Sequence, residues 1–228
     1  MIHDMTPQIL PAPALKRIAS LSVRRWDRYY VPAKLRSDPV YSAVAAELAD
    51  STQPVLDIGC GLGLLAFYLR ELGFQSKIHG FDYDERKIEC AQLMAQRGGF
   101  SGLSFQAGDA RTGLPEFSGH VVILDILQFF THAEQKALLL AAAARVAPGG
   151  RLIIRSGLRD RSARFHITVI GDWLAKLSFW MKAAPVCYPE RELFETSLSA
   201  AGLRVRIAPL WGHTPFNNHL IVAERPAR

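Results

Sequence analysis

The chain has 228 residues, enough for one α/β domain with a filled core and some decoration. Apolar residues at 49% and charged residues at 21% exclude a disordered chain, and no run approaches the ~18–20 continuous apolar residues of a membrane span. The net charge of +6 points toward acidic partners, while three scattered cysteines without a C-x-x-C pair (Cys60, Cys90, Cys187) exclude a disulfide framework and a zinc site. Met1 to Gln8 lacks the charged and then apolar pattern of a secretory leader, so the expected location is the cytoplasm, with a peripheral place at the inner membrane surface left open.

Leu15 to Tyr30 carries apolar residues at helical spacing (Leu15, Ile18, Leu21, Val23, Trp26), which predicts one amphipathic helix interrupted by Pro32. Asp38-Pro39 predicts a second helix through Leu48. Residues 1–50 are thus expected as a helical cap on a main domain over 51–228. Lys16, Arg17, Arg24, Arg25, Arg28, Lys34 and Arg36 crowd this segment with only Asp27 among them. They form either a solvated surface or a docking face for an acidic carrier protein, an anionic membrane surface or nucleic acid.

Residues 55–63 read Val-Leu-Asp-Ile-Gly-Cys-Gly-Leu-Gly: a short apolar strand, then glycine at every second position, then a helical stretch to Leu72. Glycines let the backbone turn tightly and approach a ligand, and the helix start offers unpaired N–H groups to an anionic or polar group. The spacing Gly59, Gly61, Gly63 departs from the dinucleotide fingerprint, which wants a third glycine at Leu64. From here strands and helices alternate, the pattern of a parallel sheet covered on both faces. A strand over Lys77 to Phe81 ends in Asp82, 19 residues past Gly63, and another stretch ends in Gly108-Asp109-Ala110. Val121 to Asp125 leads into Ile126-Leu127-Gln128, and Thr131 to Glu134 has the capping-box pattern at the head of an Ala-rich helix. Pro148-Gly149-Gly150 then opens a strand from Arg151. A helix from Glu190 closed by Gly202 and two final strands, Leu203 to Leu210 and Asn218 to Ala223, complete the chain.

This series resembles the class I S-adenosylmethionine (SAM)-dependent methyltransferases, in register over roughly residues 50–157 and more loosely beyond. The resemblance implies a doubly wound, mostly parallel seven-stranded sheet of order 3-2-1-4-5-7-6 with the last strand antiparallel, and a helical insert after strand 5. It implies SAM as cofactor and S-adenosylhomocysteine as product. Gly59, Gly61 and Gly63 would lie along the methionine part, Asp57 would hold its amino group, Asp82 the ribose and Asp109 the adenine amine. Ala110 would lie beside the ring, Tyr83 and Asp125 would border the cofactor and Lys34 would pair with its carboxylate. No metal is expected.

The acceptor side is less determinate. Asp125-Ile126-Leu127-Gln128 lacks the Pro-Pro-Tyr of enzymes that methylate nucleobase amines, which makes a nucleic-acid acceptor the weaker expectation. Gln128 takes no proton at neutral pH, so any base comes from His166, His213, Tyr30, Tyr29 or Glu190. The insert at about 160–186 holds Trp173, Leu177 and Trp180, either as a core helix or as a lid over a flat, apolar acceptor. The leading expectation is methyl transfer to a small or carrier-bound aromatic or acyl acceptor in a biosynthetic pathway. An RNA- or protein-directed enzyme, or a SAM-binding partner without catalysis, stands as the alternative.

Overall fold

The computed structural model describes residues 9–22, 24–177, 185–212 and 214–227, with the side chains of 172–177 outside the description. Its sheet has the order β3-β2-β1-β4-β5-β7-β6, as the resemblance implied. The chain divides into two units, residues 1–109 and 110–228.

In the first unit, α1 (Ala12–Leu21), α2 (Asp27–Ser37) and α3 (Val40–Leu48) precede β1 (Val55–Ile58), α4 (Leu64–Glu71), β2 (Ile78–Asp82), α5 (Glu85–Gly98) and β3 (Leu103–Ala107). β1 and β2 run parallel with Asp57 opposite Gly80, and β2 and β3 run parallel with Asp82 opposite Ala107. All four residues of β1 are buried, because a parallel strand is covered on both faces. The N-terminal helices bury Leu15, Ile18, Val31, Leu35, Val44 and Leu48, and Tyr41 meets the fully buried Tyr68 of α4 at 5.5 Å between ring centroids.

The single helix expected over Leu15 to Tyr30 is in fact two, and the expected interruption at Pro32 is absent. The chain breaks after Leu21 because Ser22 turns back: its hydroxyl donates to the buried carboxylate of Asp27 and accepts the Arg24 N–H at 3.2 Å. α2 then runs through Pro32. A proline there removes only the bond to the carbonyl of Arg28, a residue on the exposed side where water can replace it.

In the second unit, β4 (His120–Leu124), α6 (His132–Ala144), β5 (Arg151–Gly157), α7 (Ala163–Leu177), α8 (Arg191–Ala200), β6 (Arg204–Pro209) and β7 (Asn218–Glu224) follow. β4 and β5 are parallel, and β7 lies antiparallel to both β5 and β6. The capping box at Thr131 and Glu134 forms in both directions. Gly202, at φ 79°, ends α8 as expected, with the Leu203 N–H returning to the Leu198 carbonyl at 3.0 Å. Ile167 and Ile170 on α7 are exposed, so its described turns are not those of a helix buried all round. Trp180 lies outside the described residues, as do the side chains of Trp173 and Leu177. No helix among the described residues is long and apolar enough to cross a membrane.

Candidate functional site

The site in the first unit is built at the carboxyl ends of β1, β2 and β3, where an open α/β sheet binds its ligands. Gly59, Gly61 and Gly63 have φ of 80°, 55° and 72°, all in the left-handed region that side chains resist. Gly63 is constrained twice over, since a Cβ there would stand 2.6 Å from the Phe105 ring of β3. The loop is fastened to β2: the Gly59 N–H donates to the Phe81 carbonyl at 2.7 Å. The Gly61 N–H donates to Oδ2 of Asp82 at 2.8 Å, while Oδ1 of the same carboxylate accepts the Asp84 N–H at 2.9 Å. Asp82 also accepts the Gly108 N–H on its backbone carbonyl at 3.0 Å, which ties the end of β3 and the turn toward Asp109 to the end of β2.

This arrangement leaves Asp82 chemically unfinished. A carboxylate offers about four lone-pair sites, and two are used by Gly61 and Asp84. Two remain, the number that a vicinal diol fills. Tyr83 follows with its ring 54% exposed, and Asp109 is half-buried at the end of β3. Asp57 sits beneath, 2% exposed. Burial, with the neighbouring charge of Asp82, pushes its carboxyl up to about 7. A cation brought beside such a group would favour its ionised form, because it would supply the countercharge that the buried carboxylate lacks. Burial also pushes the Cys60 thiol up, helped by both aspartates, so it stays a neutral, inert filler beside Gly80. These residues fit an adenosyl ligand with an amino-acid tail.

Lys34, expected near the cofactor carboxylate, pairs with Asp38 one turn along, at 2.9 Å. Tyr30 is half-buried on α2, and Tyr29 is exposed.

In the second unit the end of β4 is the notable feature. Asp125 has φ 57°, and among the described residues no other non-glycine residue lies at positive φ. Its carboxylate is gripped by both Nε and Nη2 of Arg155, a β5 residue 5% exposed, and its N–H bonds to the Arg155 carbonyl at 3.1 Å. Strain of this kind persists only where surroundings impose it. The turn that follows is held by Gln135 of α6, whose amide donates to the carbonyls of Leu127, Phe130 and Cys187 at 2.8–3.1 Å. Gln128 is buried, and its backbone carbonyl receives the N–H groups of Val186 and Cys187. Ala110 is half-buried. His166 is exposed on α7 with Nδ1 2.8 Å from the Ser162 carbonyl oxygen, and Glu190 faces Arg159 at 4.0 Å. His213 lies outside the described residues. Sequence reasoning missed the Arg155 grip and the Gln135 clasp; the one legible signal was an arginine directly after the apolar run Leu152-Ile153-Ile154. No cluster of three metal-ligating side chains occurs among the described residues.

With this geometry in view, the similarities to known proteins converge. The profile of a family described as "Methyltransferase domain" matches residues 49–177. The chain belongs to that family, the class I SAM-dependent methyltransferases. It is 28% identical over 167 residues to the ubiquinone biosynthesis O-methyltransferase of Xanthomonas axonopodis pv. citri, covering 72% of this chain and 68% of that protein. It is 29% identical over 128 residues to the ribosomal protein L11 methyltransferase of Cupriavidus metallidurans, covering 56% of this chain but only 38% of the relative. Among solved structures, magnesium protoporphyrin IX methyltransferase from Synechocystis PCC 6803 with bound SAH shares the fold at TM-score 0.66 and 19% identity, covering 93% of each chain.

Proposed function

We propose that the chain transfers the methyl group of SAM to a small or carrier-bound organic acceptor, aromatic or acyl, in a biosynthetic pathway. The observation that carries this reading is the extent of the likeness. The match to the ubiquinone O-methyltransferase runs through most of both proteins, whereas that to the L11 enzyme spans little more than a third of the relative. Similarity confined to a shared cofactor core says little about the acceptor. Asp125 is also followed by Ile126-Leu127-Gln128, not by the Pro-Pro-Tyr that would seat a nucleobase amine.

SAM supplies a sulfonium-bound methyl open to in-line attack, so the protein's task is chiefly alignment and exclusion of water. Asp82 holds the diol with its two remaining acceptor sites. Asp57 holds the amino group, Gly59 to Gly63 lie along the methionine part, and Asp109 meets the adenine amine with Tyr83 and Ala110 at the ring. Asp125, locked by Arg155, fixes the turn that carries Gln128. Gln128 orients by hydrogen bonding and cannot remove a proton. His166, His213 and Tyr30 remain the candidate bases for a phenolic acceptor.

The second reading, a protein-directed enzyme, draws on the L11 relative. A panel of phenolic, carboxylic and carrier-thioester acceptors, run beside purified L11 with radiolabelled SAM, separates them. Label on L11 alone would overturn the small-molecule reading, and S-adenosylhomocysteine binding without any transfer would favour a non-catalytic partner. For the cofactor assignment, Asp82→Ala is expected to weaken S-adenosylhomocysteine binding by about 1–3 kcal/mol, read by calorimetry. An unchanged affinity would refute that role for Asp82.

A further inference from the structure

Between α1 and α2 the chain turns a corner, and its exposed side chains are of only two kinds. Arg24, Arg25 and Arg28 are exposed, as are Trp26 (62%) and Tyr29 (78%). The one acid of the segment, Asp27, is turned inward, 4% exposed, and bonded to Ser22. None of the three arginines makes an ion pair among the described residues, although Arg17, nearby in sequence, is paired with Glu71. A protein surface that leaves a tryptophan and a tyrosine in water, ringed by unneutralised guanidinium groups, is arranged for a partner that is anionic and apolar at once.

We propose that this corner docks the protein on an anionic lipid bilayer, with Arg24, Arg25 and Arg28 on phosphate headgroups and the rings of Trp26 and Tyr29 at the headgroup–acyl boundary. Three observations favour a lipid surface over other acidic partners. Trp26 and Tyr29 are three residues apart at the head of α2, so both rings share one face, as interfacial aromatics must. The three arginines of the corner fall within five consecutive positions, the scale of a few headgroups and not of a tracked nucleic-acid backbone. The exposed set also holds no amide or aliphatic hydroxyl to read a base or a peptide edge. Long arginine stems let the charges stay in the headgroup layer while the rings sit deeper.

The proposal concerns a face outside the methyl-transfer site and is tested without an activity readout. The full chain is sedimented with vesicles of phosphatidylcholine alone or with added phosphatidylglycerol, at low and high salt. Binding is expected only to the anionic vesicles and weakens as salt screens charges beyond ~8–10 Å. Neutralising Arg24, Arg25 and Arg28 together to Gln should lower the partition coefficient about a hundredfold, near fivefold per arginine. Charge reversal at the three positions should lower it further. Wild-type tryptophan emission should shift to the blue on anionic vesicles, and Trp26→Phe should lose that shift. Thermal melts and S-adenosylhomocysteine binding of the Gln variant, expected to be unchanged, confirm that its fold is intact. Equal binding to neutral vesicles, equal partition of wild type and both triple variants, or binding to polyuridylate or an acidic protein without binding to vesicles would each overturn the proposal.

Discussion

The two units treat the carboxylates at the ends of their central strands in opposite ways. In residues 1–109, Asp57 and Asp82 have no cation gripping them among the described residues: one is held near neutrality by burial, and the other keeps two acceptor sites beyond its loop bonds. In residues 110–228, Asp125 is bound on both oxygens by Arg155 and fixed in a backbone conformation that it would not choose. A carboxylate with no cationic partner marks a place for a polar ligand, whereas an ion-paired carboxylate on a residue at positive φ marks a structural clamp that sets a turn. Substitutions in the first unit should therefore act on cofactor binding, and those at the clamp should act on stability and turnover.

The largest expected effect is at Gly63. Alanine there meets both a positive φ, costing roughly 1–2 kcal/mol, and the Phe105 ring, where overpacking adds roughly 1–3 kcal/mol. Gly63→Ala should lose about 3 kcal/mol in urea denaturation, and its S-adenosylhomocysteine affinity should fall with it. A variant as stable as wild type would show that the loop relaxes freely and that its geometry is not imposed.

Next comes the clamp. Asp125→Ala leaves the Arg155 guanidinium without its carboxylate, which for a buried pair costs about 3–5 kcal/mol. The Asp125 side is partly open, so about 2–3 kcal/mol is expected. Asp125→Gly removes the same carboxylate but relieves the strain at φ 57°, and should be about 1 kcal/mol less destabilising than Asp125→Ala. Both should retain S-adenosylhomocysteine binding within severalfold while turnover drops. If instead both lose cofactor binding, Asp125 belongs with the first unit's carboxylates, as the family resemblance implied, and the contrast between the units fails.

The contrast also explains what the sequence discloses. The glycine loop, Asp82 and the sheet order are legible because a fixed ligand demands fixed spacing along one stretch of chain, and because alternating strands and helices admit few topologies. Asp125 and Arg155 are 30 residues apart and meet only through the pairing of Leu124 with Arg155 across two strands. No spacing rule announces such a meeting. Gln135 is illegible for the same reason: a polar residue in the first turn of α6 reads as surface, yet it is fully buried and spans three carbonyls. The break after Leu21 turns on a local bond between Ser22 and Asp27 that competes with continued helix, a contest that apolar periodicity does not register.

The effect of pH is the most diagnostic, because only a carboxylate that meets the ligand shows its binding half. Asp57 stands at about 7 in the folded chain and near 3.8 as a free carboxyl. Between those values the folded state binds the extra proton, so Asp57 stabilises the fold less and less as pH rises, until it is ionised above about 7. Asp57→Asn keeps the shape and removes the buried charge. It should melt higher than wild type at pH 8, by less at pH 5, and the difference should vanish only below about pH 4. Binding should follow the opposite course. An ammonium pairs with the ionised carboxylate, so wild-type affinity for S-adenosylhomocysteine should rise about tenfold per pH unit, or ~1.4 kcal/mol, below the Asp57 pKa and level off above it. Calorimetry in two buffers of different ionisation enthalpy at pH 6 should record nearly one proton released per ligand bound. Asp57→Asn should release none and bind more weakly than wild type at pH 8, so the substitution that steadies the fold weakens the site. A pH-independent affinity in wild type would separate Asp57 from the amino group and leave it as a buried acid beneath the loop.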